Sequence, residues 1–327
     1  MGKIKVRLKV SLMFNFSKRC SSLVVALICA LFSLNIAANE LVINDRKVTI
    51  SQYKWFGDVP KAKLVRVINP YGDVNSRSSL GNAVELSSAI QKIGDNPPEH
   101  KIDIKDVDGV TEIVISYPKD SIRDEQGRLT GRFDLGVWLP SSVRLEVETD
   151  FGDIKIKKSA SDVIAKSNTG KISIGTSGHV EATSERGNIT VDFYGERFRQ
   201  KMKVVSRFGD VKVSMSQDTR LVLNASAAKA IKNNFDKYQA IKVSGDKHQL
   251  SAQITKPTKH KIQPVELYVA ADKGLVDIKI NDESNYKVRK TQPSFMAKDK
   301  LKAMNNTKNK PDGQSNVNSP SELATVD

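Results

Sequence analysis

The sequence predicts an all-β protein, a single-domain β-solenoid of short strands joined by glycine turns. One pattern recurs along the chain: a glycine, usually followed by a polar residue, and then β-branched residues two positions apart. Alternation of apolar and polar residues within each copy is typical of a strand with one buried face. The four central glycines are 18, 17 and 22 residues apart, a spacing typical of stacked repeats. The copies are centred on Gly72, Gly152, Gly170, Gly187, Gly209 and Gly274.

The first element, residues 1–38, has the organisation of a signal peptide. Six Lys and Arg residues precede an apolar run from Leu23 to Leu34, and Ile36-Ala37-Ala38 offers a cleavage site before Asn39. The run is shorter than the roughly 20 residues that a bilayer-spanning helix needs. We therefore predict export to the periplasm, cell envelope or surface of a bacterium, with an uncleaved anchor as the alternative.

Both cysteines, Cys20 and Cys29, lie in this leader. The exported chain would therefore contain no disulfide, thiolate metal site or cysteine nucleophile. Without the leader, the net charge of +15 falls to about +9. This excess suits contact with anionic glycans or lipid headgroups, although simple solubility explains it equally well. Nucleic acid is not an expected partner, because export separates the protein from it.

The body of the chain is predicted to consist of a lead-in segment, 39–64, and one repeat domain, 65–285. In its N-terminal part, Asp108-Gly109 lies between two alternating apolar runs, which is a strong hairpin signal. Residues 120–132 are charged and rich in turn residues, so we expect a surface loop. Residues 225–238 include several alanines and predict a helical turn on the flank.

The apolar residues of the alternating strands define the predicted inner face. No single repeat can bury this face alone, whereas stacked repeats bury it continuously. A β-sandwich of similar hairpins is the alternative. The repeated glycines are expected to have positive φ, because a sharp turn in that conformation disfavours a Cβ. The inward set is Val143, Leu145, Val147, Ile154, Ile156, Val163, Ile172, Ile174, Val180, Ile189, Val191, Val211, Val213, Leu221 and Leu223.

The last element, residues 286–327, is rich in Lys, Asn, Ser, Gln and Pro and has few aliphatic residues. Such a segment cannot bury enough apolar surface to offset the entropy of ordering it. We predict a disordered polar tail.

The order of the motifs from Leu139-Pro140 onward resembles the bacterial putative adhesin family. The strand that ends there is followed by an alternating strand, by Gly152-Asp153-Ile154 and by Gly170-Lys171-Ile172. An earlier glycine copy at 69–74 fits the same likeness. So does a closing pair, a Pro-Val strand at 264–269 and a final glycine copy. The resemblance implies a β-solenoid fold and an envelope location, and it brings no catalytic motif with it.

Metal and cofactor binding are not expected. Asp73, Asp153 and Asp210 occupy equivalent turn positions and could form a calcium column, but Lys171 and Asn188 interrupt it. The repeat is also about twice as long as the nonapeptide of calcium-binding β-rolls, so solvated turn residues are the expected role. The histidines have no partners at zinc-ligand spacing; they are His100, His179, His248 and His260.

A catalytic role is not expected either. Parallel β-helices include polysaccharide lyases and hydrolases, which use paired carboxylates, and no repeat offers a distinctive pair. The sequence also lacks a Gly-x-Ser-x-Gly elbow and a phosphate-binding glycine loop. We expect a non-enzymatic binding or structural module, with a carbohydrate-active enzyme or an accessory protein of an envelope-sensing system as alternatives.

One segment combines aromatic rings with cations, as sugar- or headgroup-binding surfaces do. Its expected partners are anionic envelope glycans, lipid headgroups or another envelope protein. The alternative is that the rings cap the side of the fold while the charges are solvated. The candidate residues are Tyr194, Arg197, Phe198, Arg199 and Phe208.

Overall fold

The computed structural model describes residues 39–43, 46–94, 97, 99–118, 123–124, 127–195, 198–238, 241–254 and 264–281. The predicted signal peptide, the polar tail and Arg197 lie outside these residues. Within them, the chain forms 22 strands and one three-residue 3-10 helix, which confirms the all-β prediction. None of the helical structure in this part of the chain has the length and hydrophobicity of a membrane span.

The strands are β1 (Asn39–Ile43), β2 (Arg46–Asp58), β3 (Leu64–Ile68), β4 (Val74–Ser79), β5 (Ala83–Ile93), β6 (Lys101–Val107), β7 (Val110–Ser116), β8 (Gly131–Pro140), β9 (Arg144–Thr149), β10 (Ile154–Ser159), β11 (Val163–Ser167), β12 (Ile172–Thr176), β13 (Val180–Ser184), β14 (Ile189–Phe193), β15 (Met202–Ser206), β16 (Val211–Ser216), β17 (Leu221–Ala227), β18 (Ile231–Asn233), β19 (Lys242–Gly245), β20 (Gln249–Ile254), β21 (Val265–Ala271) and β22 (Val276–Asn281). The 3-10 helix is Phe235–Lys237.

The strands form two mixed sheets of 11 strands each. The first sheet has the order β1-β2-β5-β8-β4-β10-β12-β14-β16-β22-β18, and the second has the order β19-β20-β17-β21-β15-β13-β11-β9-β3-β7-β6. From β9 to β16 the chain alternates between the sheets, and each strand pairs in parallel with the strand two places along. Hairpins of a sandwich would instead make these neighbours antiparallel.

Each rung, one strand in each sheet, is bounded by two kinds of turn. We call the turns that lead from the second sheet to the first the glycine edge, because all six pattern glycines lie there. The turns that lead back from the first sheet to the second form the loop edge. Residues 194–201, between β14 and β15, are its longest connection among β10 to β17.

Aliphatic side chains fill the space between the sheets in columns that run from rung to rung. Ile154, Ile172 and Ile189 are paired across β10, β12 and β14, and each is at most 1% exposed. All 15 residues of the predicted inward set are buried, so the predicted facing of these strands is confirmed. Their neighbours, such as Lys155 and Ser173, point to the outer face, as the strand period of two requires.

Antiparallel strands flank the parallel region at three of the four sheet ends, and the first sheet ends instead in β18, which is parallel to β22. At one end β2 pairs with β5 from Val48 to Asp58, so residues of the lead-in segment join the first sheet. The predicted hairpin is confirmed, because β6 and β7 pair antiparallel around Asp108 and Gly109, which have φ of 54° and 78°. At the other end β17, β20 and β19 are antiparallel neighbours.

The helical turn predicted over residues 225–238 is mostly wrong. Ala225 and Ala227 belong to β17, where they are buried and in register with Val269 and Ala271 of β21. Only the 3-10 helix is helical. Alanine has high helix propensity, but here the small side chains fill inner positions of a sheet, and packing overrides propensity.

The positive φ predicted for the repeated glycines is correct only for Gly72, whose φ is +150°. The other pattern glycines are needed because the main chain of the neighbouring rung lies too close for a side chain. A Cβ on Gly170 would lie 1.8 Å from the carbonyl oxygen of Gly152, and a Cβ on Gly187 would lie 1.8 Å from that of Gly170. No side chain fits at such distances.

Buried hydroxyl groups hold the glycine turns in place. Thr149, Ser167, Ser184 and Ser206 each lie three residues before a pattern glycine and accept a hydrogen bond from its N–H at 2.8–2.9 Å. All four side chains are buried. This repeated spacing of three residues forms a local Ser/Thr turn, which satisfies a backbone donor inside the fold.

The Asp or Asn residue that follows four of the six glycines links one rung to the next, so these residues are not merely solvated. Asp153 accepts a hydrogen bond from the N–H of Lys171 at 2.8 Å, and Asn188 accepts one from the N–H of Asp210 at 2.9 Å. Asp210 likewise accepts from the N–H of Leu275. Lys171 interrupts this ladder, because its side chain has no acceptor to offer to Asn188.

A substitution at Gly170 is predicted to destabilise the fold because the new Cβ meets the neighbouring rung. A substitution at Gly94 is predicted to destabilise it because of the positive φ. Gly170→Ala and Gly170→Asn should both lower the free energy of unfolding by about 1–3 kcal/mol, because any Cβ meets the Gly152 carbonyl. Asparagine at position 170 should lower the free energy of unfolding at least as much as alanine does. Urea denaturation of the two variants measures this order.

Gly94 is the matched control, because its φ is +103° and a Cβ there would meet no atom within 4 Å. At this position asparagine should be milder than alanine, since asparagine tolerates the left-handed region better. A milder asparagine at Gly170 as well would show that φ, and not the contact between rungs, explains the pattern glycines.

Lys171→Asn is predicted to stabilise the protein by completing the acceptor ladder. The new side-chain oxygen would accept the N–H of Asn188 and should add about 0.5–1 kcal/mol to the free energy of unfolding. Lys171→Ala is the control, because it removes the same charge without supplying an acceptor. Equal urea midpoints for the two variants would contradict the proposed role of this position.

Candidate functional site

The structure separates the predicted binding residues onto two opposite edges. Tyr194, Phe198 and Arg199 lie on the loop edge, before β15, whereas Phe208 follows β15 on the glycine edge. The five residues of β15 span roughly 16 Å between them. These residues therefore do not form a single binding site, and they divide into two candidate surfaces.

Phe198 is not available to a ligand at the surface. It is 7% exposed and packs edge-to-face on Phe193, with ring centroids 5.2 Å apart. Phe198 thus anchors the long loop-edge connection to the core, as the capping alternative expected. Tyr194 is exposed, and its hydroxyl lies against Gly175 of the neighbouring strand β12, where a Cβ would be 2.5 Å away. Arg199 is exposed at the rim of a pocket on this edge.

The glycine edge carries an aromatic cluster that sequence reasoning missed as a site. The rings of Tyr71 and Phe151 are stacked, with centroids 5.0 Å apart and planes at 7°. Tyr117 meets Tyr71 edge-on at 5.3 Å, and His100 meets Tyr117 edge-on at 4.8 Å. The available signal was the residue directly before the glycine, which is aromatic in three copies, the third being Phe208.

Hydrogen bonds hold this cluster rigidly. The hydroxyl of the half-buried Tyr117 donates to the main-chain carbonyl of Tyr71 and lies 3.2 Å from the side-chain oxygen of Asn69. Burial raises the pKa of Tyr117 well above its ordinary value, so the hydroxyl keeps its proton and remains a donor. Asn69 in turn donates to the carbonyl of Phe133, and the N–H of Phe151 donates to Pro70.

A groove of about 420 Å³ runs beside the glycine edge on the second sheet. We call it the glycine-edge groove. Arg207 forms an ion pair with Glu185 at 2.6 Å, and its guanidinium lies 5.0 Å from the centre of the Phe208 ring. Asn168 donates a hydrogen bond to Asp150. The charged and amide side chains that line the groove are those of Glu148, Asp150, Lys166, Asn168, Glu185, Arg207 and Asp272.

Within the described ranges, no group of three or more His, Asp or Glu side chains has the geometry of a metal site. The column of turn carboxylates has another role. The side chain of Asp134 accepts the N–H of Asp73, that of Asp73 accepts the N–H of Asp153, and that of Asp153 accepts the N–H of Lys171. These oxygen atoms bind main-chain donors between rungs.

Among the solved structures that resemble this chain are three bacterial proteins, and each likeness covers 70% of the chain. They are a putative cell adhesion protein from Clostridium sporogenes (14% identity, TM-score 0.41, 100% of that chain covered), a putative adhesin from Bacteroides fragilis (11%, 0.30, 97%) and a putative adhesin from Parabacteroides merdae (11%, 0.24, 95%). These descriptions agree with the family that the rung motifs resemble. No family model matches the chain, and no curated protein matches it either.

The stability of the aromatic cluster is predicted to depend on pH through His100. Its two ring nitrogens are buried without a hydrogen-bond partner in the described part of the chain, and burial, with a smaller effect of Lys92, lowers its pKa. The unfolded chain therefore binds this proton more readily. Neutral His100 contributes fully to the free energy of unfolding above the ordinary pKa of about 6.5. This contribution is lost as the pH falls toward the lower pKa of the folded state.

Urea midpoints measured between pH 8 and 5.5 should fall more steeply for the wild type than for His100→Phe, which cannot titrate. The comparison concerns the slope with pH, so a difference in stability at a single pH does not affect it. Parallel slopes for the two proteins would rule out His100 as the titrating group.

Proposed function

We propose that this protein is an exported, non-enzymatic binding module of the bacterial envelope that binds a polysaccharide along the glycine edge. The observation that carries the proposal is the stacked pair of Tyr71 and Phe151 beside a groove of polar side chains. Aromatic rings cover the apolar faces of sugars, while carboxylate, amide and cationic groups bind their hydroxyls.

The exposed rings are placed for an extended ligand. Phe151 is 52% exposed and Phe208 is 47% exposed, although large aromatic side chains are usually mostly buried. They stand three rungs apart, which corresponds to about 14 Å along the stack at the usual spacing of strands. A chain of several sugar units can contact both rings, whereas a single sugar cannot.

The edge is rigid before any ligand binds. Its turns are hydrogen-bonded to one another, as in the bonds from the N–H of Glu185 to Ser167 and from the N–H of Arg186 to Asn168, at 3.1 and 2.8 Å. Binding to a surface that is already ordered loses little conformational entropy. A repeating surface of this kind suits a repeating polymer.

The non-enzymatic role is supported by the partners of two groove carboxylates. Glycoside hydrolases use two carboxyl groups that flank the scissile bond, one as an acid and one as a base or nucleophile. Here Glu185 is paired with Arg207, and Asp150 accepts a hydrogen bond from Asn168. Export and an envelope location are supported by the basic and apolar leader, 1–38, and by the absence of cysteine after it.

Binding of the mature protein to an array of neutral and acidic bacterial polysaccharides tests the proposal. Phe151→Ala and Phe208→Ala should each weaken binding about twofold to tenfold, because each removes one aromatic contact. Phe151→Leu should weaken it too, since this variant keeps apolar volume but loses the flat ring. Thermal melts of each variant establish that it is folded.

Phe56→Ala is the matched control, because Phe56 is 41% exposed on β2, away from the glycine edge. It should bind as the wild type does. Binding that is unchanged in the Phe151 and Phe208 variants would refute the glycine-edge assignment. Release of new reducing ends from a bound polysaccharide would refute the non-enzymatic role.

A further inference from the structure

A second pocket lies on the loop edge and is built by three successive turns. Its volume is about 340 Å³. Asp162 comes from the turn before β11, Ser177 and His179 from the turn before β13, and Arg199 and Gln200 from the long connection before β15. We call it the loop-edge pocket. Because each turn belongs to a different rung, only the stacked fold brings these side chains together.

His179 lines this pocket, and its imidazole has a polar atom without a partner among the described residues. Its main chain is fully engaged, because its N–H donates to a side-chain oxygen of Asp162 at 3.0 Å and its carbonyl accepts the N–H of Val163 at 2.9 Å. The ring atom Nδ1, however, is buried and has no hydrogen-bond partner among the described residues. A buried polar atom without a partner costs free energy, so a turn of the ring that brings Nδ1 to a ligand atom in the pocket would relieve that cost.

Arg199 supplies an available positive charge at the same pocket. No hydrogen bond or ion pair to another described residue involves its guanidinium. The neighbouring residue, Phe198, is buried against Phe193 and holds the backbone of this connection in place. The guanidinium fork matches the two oxygen atoms of a carboxylate, which makes such pairs stronger and more specific than neutral hydrogen bonds.

The remaining lining favours a sugar over a simple anion. Asp162 lines the same pocket as Arg199, and its Oδ1 accepts the N–H of His179. A small anion alone would be repelled by this carboxylate. A ligand that carries both a carboxylate and hydroxyl groups can satisfy Arg199 with the first and Asp162 with the second. Ala160, which also lines the pocket, adds apolar surface for a ring face.

We propose that the loop-edge pocket binds an acidic sugar, with the carboxylate on Arg199, a ring oxygen or carboxylate oxygen on Nδ1 of His179, and hydroxyl groups on Asp162 and Gln200. This site is on the opposite edge from the polysaccharide surface proposed above and does not depend on it. It adds a preference for uronate units to a protein whose glycine edge would contact any sugar face.

Isothermal titration of the mature protein with glucuronic acid, glucose and glucose 6-phosphate tests the assignment. Glucuronic acid should bind more tightly than either of the other two. Arg199→Gln should weaken its binding about tenfold or more, because hydrogen bonds to charged groups are the strong ones. Arg199→Lys should keep part of the affinity. Arg186→Gln, an exposed arginine on the glycine edge, is the control and should leave it unchanged.

The role of His179 is tested with two isosteres. His179→Asn places a polar atom close to the position of Nδ1 and should keep most of the affinity for glucuronic acid, whereas His179→Gln should lose it. Equal binding of glucose, tighter binding of glucose 6-phosphate, or equal affinities for the Asn and Gln variants would each overturn the proposal. Phe151→Ala should leave this binding intact, so failure of one site is distinguishable from failure of the other.

Discussion

The close approach of successive glycines is the constraint on which the rest of the structure depends. A Cβ on Gly152, Gly170 or Gly187 would lie 1.8 Å from the carbonyl oxygen of the glycine in the preceding rung. Strand pairing holds neighbouring rungs about 4.8 Å apart. At the turn the chain must keep this spacing while it changes direction, and the main chain of one rung then occupies the space that a side chain would need in the next. Glycine is therefore required by the stack and not by the turn alone.

In this stack, the residues on either side of each glycine make different hydrogen bonds. The Ser or Thr three residues before the glycine satisfies its N–H from inside the fold, and the polar residue after the glycine accepts an N–H from the next rung. Both positions are structural. The position directly before the glycine carries an aromatic ring in three copies, Tyr71, Phe151 and Phe208. At Thr169 the same position is structural, because its hydroxyl donates to the carbonyl of Asp150 in the preceding rung.

The loop edge is less regular, because the connection at 194–201 is longer than the three-residue turns at 160–162 and 177–179. Mismatched turns leave space between them, and the loop-edge pocket lies where the long connection before β15 passes the two shorter turns. That connection stays ordered at Phe198 because the ring is buried against Phe193. The two edges therefore offer two kinds of surface, one flat and periodic and one concave and specific to a few side chains.

Strand facing could be predicted from the sequence, because the strand period of two is a local property that each short segment carries by itself. The inward set from Val143 to Leu223 and the Asp108-Gly109 hairpin follow from neighbours a few residues apart. What lies beside a residue in this fold, however, comes from rungs some 17 to 22 residues away, as the glycine spacing shows. Only the tertiary structure therefore decided that Gly170 avoids the carbonyl of Gly152, that Phe198 is buried, and that Phe208 lies with Phe151 instead of with Tyr194.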